Sequence, residues 1–251
     1  SAAECGSIAI IGGADGPTSI YVSSRLLTSN SNIGVGTIAL AAYTYMALVP
    51  IVQPPVIKAV TTKKERLIRM KYNPGEVSKT TKILFPIVVT VIAGLVAPKS
   101  VALVGFLMFG NLIRECGVLN NLSETAQNSF ANIITILLGI TVAGQMHYEE
   151  FVKPATLLIL GLGLVAFVFD TIGGVLFAKF LNLFLPKEKK INPMIGAAGI
   201  SAFPMSGRVV NQMGLKEDNQ NFLLMQSISV NVSGQIASVI AGGLILTLVT
   251  K

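Results

Sequence analysis

Asp15 is the residue in this sequence best placed to do chemistry. It stands at the centre of Gly12-Gly13-Ala14-Asp15-Gly16-Pro17-Thr18, between the apolar runs 7–11 and 20–27. Those runs read as two pieces of one membrane helix. The glycines and the proline between them cannot continue it, because glycine costs a helix entropy and proline removes a donor and clashes with the preceding turn. Broken backbone at membrane depth persists only where its freed polar groups face protein or a water-filled cavity. An ionisable residue within the membrane is a functional-site hypothesis by default. The expectation is a cation site, with Asp15 supplying charge and bare carbonyls supplying further oxygens.

A second stretch of the same kind spans 192–208, Asn192-Pro193-Met194-Ile195-Gly196-Ala197-Ala198-Gly199-Ile200-Ser201-Ala202-Phe203-Pro204-Met205-Ser206-Gly207-Arg208. Asn192, Ser201 and Ser206 can offer oxygens. Arg208 brings a fixed positive charge that needs a counter-ion, for which Asp15 is the obvious candidate. Tyr43 and Tyr45 fall near the middle of an apolar span, so they are either interfacial anchors or cavity-facing hydroxyls that pass a proton or touch an ion. Asp170 is another charge inside an apolar run; it either pairs with Lys179 or lines the pathway. His147 has no second histidine to join it and reads as a solvated interfacial residue. Cys5 and Cys116 lack metal-ligand spacing and read as reduced and inert.

These residues must be carried by membrane helices. Of 251 residues 52% are hydrophobic and only 12% charged, with mean hydropathy +0.69. Ordinary soluble domains carry about 25% charged residues, so the composition places the chain in a bilayer. The 24 glycines suit close helix packing there. The length allows roughly six or seven passes. Spans are expected at 33–57 (disturbed by Pro50, Gln53, Pro54 and Pro55), 83–97, 133–142, 157–185 and 222–250, with another apolar stretch at 101–111. A polar stretch at 120–128 is expected to lead into a helix, with Ser123 and Glu124 at its start. In the last span Gln226, Ser227, Ser229, Asn231, Ser233 and Gln235 read mainly as interhelical hydrogen-bond glue.

Segment 61–82 carries Lys63, Lys64, Arg66, Arg69, Lys71, Lys79 and Lys82 against Glu65 and Glu76, and by the positive-inside rule it is a cytoplasmic loop. It could also meet an acidic partner or anionic lipid. The net charge of +7 comes mostly from this loop and 187–190 and implies no nucleic acid. The fold class expected is therefore all-α: one polytopic transmembrane domain over 1–251 with discontinuous helices. The paired breaks suggest the internal repeat of secondary transporters, which build a midplane site from such helices. An inverted repeat would need one stretch, 101–117 for instance, not to cross fully.

The run at 12–18 resembles the beta subunit of the biotin-dependent sodium-pumping decarboxylases, those of oxaloacetate, methylmalonyl-CoA and glutaconyl-CoA. The stretches 41–55 (AAYTYMALVPIVQPP), 105–117 (GFLMFGNLIRECG), 192–208 and Asn231-Val232-Ser233-Gly234 match further blocks of that family. Family members carry several membrane segments before the Asp15 motif, so this chain reads as the later part of a longer one. The resemblance implies that a carboxyltransferase alpha subunit loads biotin on a biotin carrier subunit, and that carboxybiotin is then presented to this chain. Its decarboxylation consumes a proton and drives sodium outward across the cell membrane. Biotin is not attached to this chain, and a small gamma or delta membrane subunit completes an oligomeric complex. Asp15 matches the sodium-linked carboxylate, Asn192, Gly196, Ser201 and Arg208 match positions of the second motif, and either Tyr43 or Tyr45 matches the functional tyrosine. Sodium's ligands would be Asp15, Asn192, Ser201 and unwound carbonyls; Arg208 would hold the carboxybiotin carboxylate or neutralise Asp15, and the tyrosine would supply a proton. The rival readings are a sodium-coupled secondary transporter without decarboxylation and a non-catalytic membrane scaffold.

Overall fold

A computed structural model describes residues 1–28, 31–70, 75, 77–144 and 153–249. Among them every regular element is helical. The first helix, α1 (Ala2–Ala9), tightens into a 3-10 turn at Ile10–Gly13, and α2 (Gly16–Leu26) follows. The long α3 (Val35–Val60) precedes the short α4 (Lys63–Arg66) and a hairpin of α5 (Lys79–Val96) and α6 (Val101–Cys116). Next come α7 (Asn120–Gly144) and α8 (Pro154–Phe184). A 3-10 turn at Pro193–Gly199, then α9 (Met205–Glu217) and α10 (Leu224–Val249), complete the described chain.

Five of these helices, α3, α5, α7, α8 and α10, are long and apolar enough to cross a membrane, and the protein is a polytopic membrane protein. At 1.5 Å per residue α6 reaches only about 24 Å, short of the ~30 Å hydrocarbon core. The helical pieces of the two interrupted stretches are shorter still, which accounts for the difference from the six or seven passes expected. The polar stretch 120–128 also differs from expectation, because helix begins at Asn120 and continues through a single π turn at Ala126–Phe130. Its polar side chains bond to the helix itself: Gln127 Nε2 donates to Ser123 Oγ (2.9 Å) and Asn128 Nδ2 to the Glu124 carbonyl (3.0 Å). Polarity there does not compete with helix. The same holds in α3, which stays helical through Pro50, Pro54 and Pro55. Each proline leaves a carbonyl four residues back without a donor, which membrane helices tolerate where neighbours cover it.

The core lies where α3, α8 and the 192–210 stretch meet, with Ile38, Tyr45, Ile57, Phe167, Val175 and Met194 among its buried side chains. By contrast α7 buries almost nothing, and α5 and α8 show wide apolar outer faces. His147 lies outside the described residues, as do Lys71 and Glu76.

Candidate functional site

The first break begins where the 3-10 turn stops at Ala14, whose φ 50° and ψ 40° put it in the left-handed region. For a residue with a Cβ that costs about 1–2 kcal/mol. The gain is a reversal that leaves Asp15 extended (φ −108°, ψ 93°) as the N-cap of α2. Asp15 Oδ1 accepts from the Thr18 N–H at 3.0 Å. Pro17 sits in the first turn, where no N–H is needed. The carboxylate thus faces the positive end of a helix, which favours its charge.

The second break is a 3-10 turn followed by irregular backbone at 200–204, extended at Ile200 and turning at Phe203 and Pro204, before α9 starts. It meets the first break directly. The Ser201 N–H donates to the Gly13 carbonyl at 3.1 Å, and Ser201 Oγ donates to Asp15 Oδ2 at 2.8 Å. Asp15 and Ser201 are both buried. Glycines make the approach possible. A Cβ on Gly196 would collide with the Gly174 carbonyl in α8, and one on Gly234 in α10 with the Gly199 carbonyl. Behind the break, Ser206 Oγ donates to Gln53 Oε1 (3.0 Å) while Gln53 Nε2 donates to the Ala197 carbonyl (2.9 Å). Asn231 Nδ2 donates to the Ile200 carbonyl at 2.6 Å, leaving Asn231 Oδ1 buried without a partner.

The two tyrosines part company. Tyr43 is half-buried and its ring lies over Gly16, where a Cβ would come within 2.8 Å of ring carbons, so it borders the Asp15 cap. Tyr45 is fully buried against Gly163, and its hydroxyl donates to the Ile159 and Leu160 carbonyls of α8. That is a packing role. Asn192 does not join Asp15 and Ser201. Its Oδ1 accepts from the Met194 N–H (3.1 Å), and its Nδ2 donates to the Arg66 and Ile68 carbonyls (2.9 Å each). It therefore clasps segment 66–70, which Arg66–Glu217 and Arg69–Asp218 ion pairs also hold.

The expected pairing of Arg208 with Asp15 is not formed. Arg208 lies in the first turn of α9, is exposed, and makes no ion pair among the described residues. Both Asp15 oxygens are already engaged, Oδ1 by the Thr18 N–H and Oδ2 by the Ser201 hydroxyl, which leaves the arginine no part in holding it. Asp170 does not pair with Lys179, which reaches Glu65 at 3.0 Å instead. It opens onto a cavity of about 440 Å³ that Gly13, Gly196, Ser201 and Ser238 also line. Gln53 and Ser238 were legible only as polar residues in apolar runs, and only contact geometry shows what they serve. Among the described residues no three His, Cys, Asp or Glu side chains converge. Carboxylate, hydroxyl and carbonyl oxygens suit a hard cation and not a thiolate- or imidazole-seeking metal.

Two interrupted helices meeting at a buried carboxylate, inside a bundle of apolar spans, mark a polytopic membrane protein with a carboxylate at a helix break. The sequence pattern of the Na+-transporting oxaloacetate decarboxylase beta subunit matches residues 1–249, and the chain belongs to that family. It is 52% identical over 248 residues to the methylmalonyl-CoA decarboxylase subunit beta of Propionigenium modestum, covering 99% of this chain and 61% of that one. It is 51% identical over 243 residues to the oxaloacetate decarboxylase beta chain of Klebsiella pneumoniae, covering 97% and 54%. It is 46% identical over 251 residues to the methylmalonyl-CoA decarboxylase subunit beta of Veillonella parvula, covering 100% and 65%. The chain thus spans little more than half to about two thirds of the length of these relatives.

Proposed function

We propose that this chain is part of the membrane subunit of a sodium-translocating decarboxylase, coupling decarboxylation of carboxybiotin to outward sodium transport. The observation that carries the reading is the Ser201–Asp15 hydrogen bond, which places a buried carboxylate where two helix breaks touch. A sodium ion arriving there takes Asp15 Oδ2 and Ser201 Oγ as ligands, and the hydroxyl turns its proton away as it does so. Unwound carbonyls supply the remaining oxygens. Asn192 and Gly196 act from further off, Asn192 by clasping the 66–70 segment and Gly196 by letting the break pack close. Tyr45 supports α8, and Tyr43, whose ring lies against Gly16 beside the Asp15 cap, is the tyrosine assigned to proton transfer.

In the decarboxylation the bond between the ureido nitrogen of biotin and the carboxyl carbon breaks, its electron pair stays on nitrogen, and carbon dioxide leaves. The nitrogen then takes the proton. Arg208, exposed and without an ion pair among the described residues, has the planar fork that binds a carboxylate in two places. The basic segment 61–82 faces the cytoplasm, where a carboxyltransferase alpha subunit and a biotin carrier subunit deliver the substrate. A small gamma or delta membrane subunit completes the complex in the cytoplasmic membrane.

The test is decarboxylation of free carboxybiotin by the complete complex in liposomes, with sodium uptake followed at the same time. Sodium-stimulated decarboxylation with uptake is expected, and Asp15→Asn is expected to abolish both while the complex still assembles. Sodium uptake without decarboxylation would make the protein a secondary transporter. Normal sodium-coupled turnover in Asp15→Asn would remove Asp15 from the site.

A further inference from the structure

Asp170 stands midway along α8, a 31-residue apolar helix, and therefore near the middle of the bilayer, where an ionised carboxylate is costly. No basic side chain among the described residues pairs with it, and Lys179 is taken by Glu65. Its carboxylate lies beside the first helix break: a Cβ on Gly12 would be 3.4 Å from Asp170 Oδ2. On the neighbouring residue, a Cβ on Gly13 would be 3.4 Å from Ser238 Oγ of α10. That hydroxyl is buried and has no hydrogen-bond partner. Both oxygens line the same cavity as Ser201, whose own hydroxyl is turned to Asp15. Asp170 and Ser238 thus face successive residues of one break, Gly12 and Gly13, and Asp15 follows two residues beyond.

We propose that Asp170 and Ser238, with carbonyl oxygens of the first break, form a second binding position for the transported cation. This rests on the reading of Asp15 and Ser201 as a sodium site. One carboxylate, one hydroxyl and peptide carbonyls give a hard, singly charged oxygen shell. It matches a monovalent cation and lacks the several carboxylates a calcium site gathers. A cation there neutralises a mid-bilayer carboxylate that no basic side chain pairs with among the described residues. Gly12 and Gly13 carry no side chains, so the Asp170 carboxylate and the Ser238 hydroxyl both come up against the bare backbone of the break.

The experiment uses the complete complex in membranes and a hydrophobic carbodiimide, which modifies protonated carboxyl groups. Modification of Asp170 is quantified by peptide mass analysis across a sodium titration, with potassium as the control. Sodium is expected to protect Asp170 and potassium to leave it reactive. Ser238→Ala removes one neutral ligand and should raise the sodium needed for protection roughly three- to tenfold. Asp170 modification that ignores sodium, or an Asp170 that never reacts, overturns the proposal. If Ser238→Ala does not assemble, the titration of the unaltered complex still decides. The two readings fail separately. Turnover that does not depend on sodium refutes the sodium pump itself, whereas sodium-dependent turnover with sodium-blind modification of Asp170 refutes only the second position.

Discussion

Replacing Gly196 by alanine tests whether the packing of the second break sets the geometry of the site. The added Cβ would lie 2.6 Å from the Gly174 carbonyl carbon and 3.0 Å from Ala178 Cβ. Ordinary contacts of a Cβ fall between 3.4 and 4 Å, so the 3-10 turn and α8 must part by roughly 1 Å, the scale of misplacement that can cost about 10²-fold in rate. The obstacle is backbone, which cannot swing aside as a flexible side chain would. Overpacking of this kind also costs about 1–3 kcal/mol of stability. Ser201 follows five residues later, and its hydrogen bond to Asp15 moves with the turn. Gly196→Ala complexes should assemble with lowered thermal stability, and their sodium-dependent decarboxylation in liposomes should fall by about two orders of magnitude. Gly174→Ala pushes the same surfaces apart from the opposite side, because its Cβ would lie 2.9 Å from the Gly196 carbonyl carbon, and it should match that loss. If Gly196→Ala turns over normally, the close approach does not set the site. If only Gly196→Ala is impaired while Gly174→Ala is not, Gly196 contributes something other than space.

The tyrosines should separate by assay. Tyr43→Phe should lower turnover with little change in thermal stability, while Tyr45→Phe should lose about 1 kcal/mol of stability with turnover retained in the folded fraction; equal behaviour in both measurements would refute the assignment. Asp218 is held below the usual carboxylate range by its hydrogen bond from Arg69, helped by the Gln220 N–H. Its folded-state pKa is depressed, so the tie it gives segment 66–70 is present above the unfolded-state value near 3.8 and is lost as pH falls through the lower folded value. Hydrogen exchange at 66–70 should therefore quicken below about pH 4, and Asp218→Asn should remove that step.

How much of this was legible in the sequence depends on the scale of the interaction. The helical class and the position of the first break follow from local rules, since three glycines and a proline around Asp15 interrupt a helix whatever surrounds them. The ends of α3, α8 and α10 fell within a few residues of expectation for the same reason. Chemistry carried by contacts far apart in the chain was not legible. The pairing of Arg208 with Asp15 was reasoned from charge alone, and charge does not reveal that a helix N-terminus and a serine hydroxyl had already met the carboxylate's needs. Tyr43 and Tyr45 are two residues apart in one helix, so they project about 200° apart, and only the packing partner decides which one meets the site. Asn192 was read as a ligand because its side chain carries an oxygen. Its amide nitrogen, donating twice to segment 66–70, is what the fold uses.

That displaced role links the basic segment to the ionic site. Arg66 and Ile68 accept from Asn192, which opens the 3-10 turn. The turn packs against Gly174 through Gly196, and Ser201, nine residues beyond Asn192, holds both the Gly13 carbonyl and Asp15. Ten residues of chain therefore connect a charged surface to a buried carboxylate. Spatial continuity alone does not establish coupling; an element with two arrangements is required. Ser201 is where such an element would be sought, since its hydroxyl is a contact between the two breaks. Its hydroxyl can donate to Asp15, as here, or turn its lone pairs to a cation, but it cannot direct its single proton to Asp15 while a cation occupies the same space. The choice between those two arrangements is the smallest switch this site can contain. The Ser201 hydroxyl is also the contact that a movement of segment 66–70, passed along the 192–201 stretch, would reach first at Asp15.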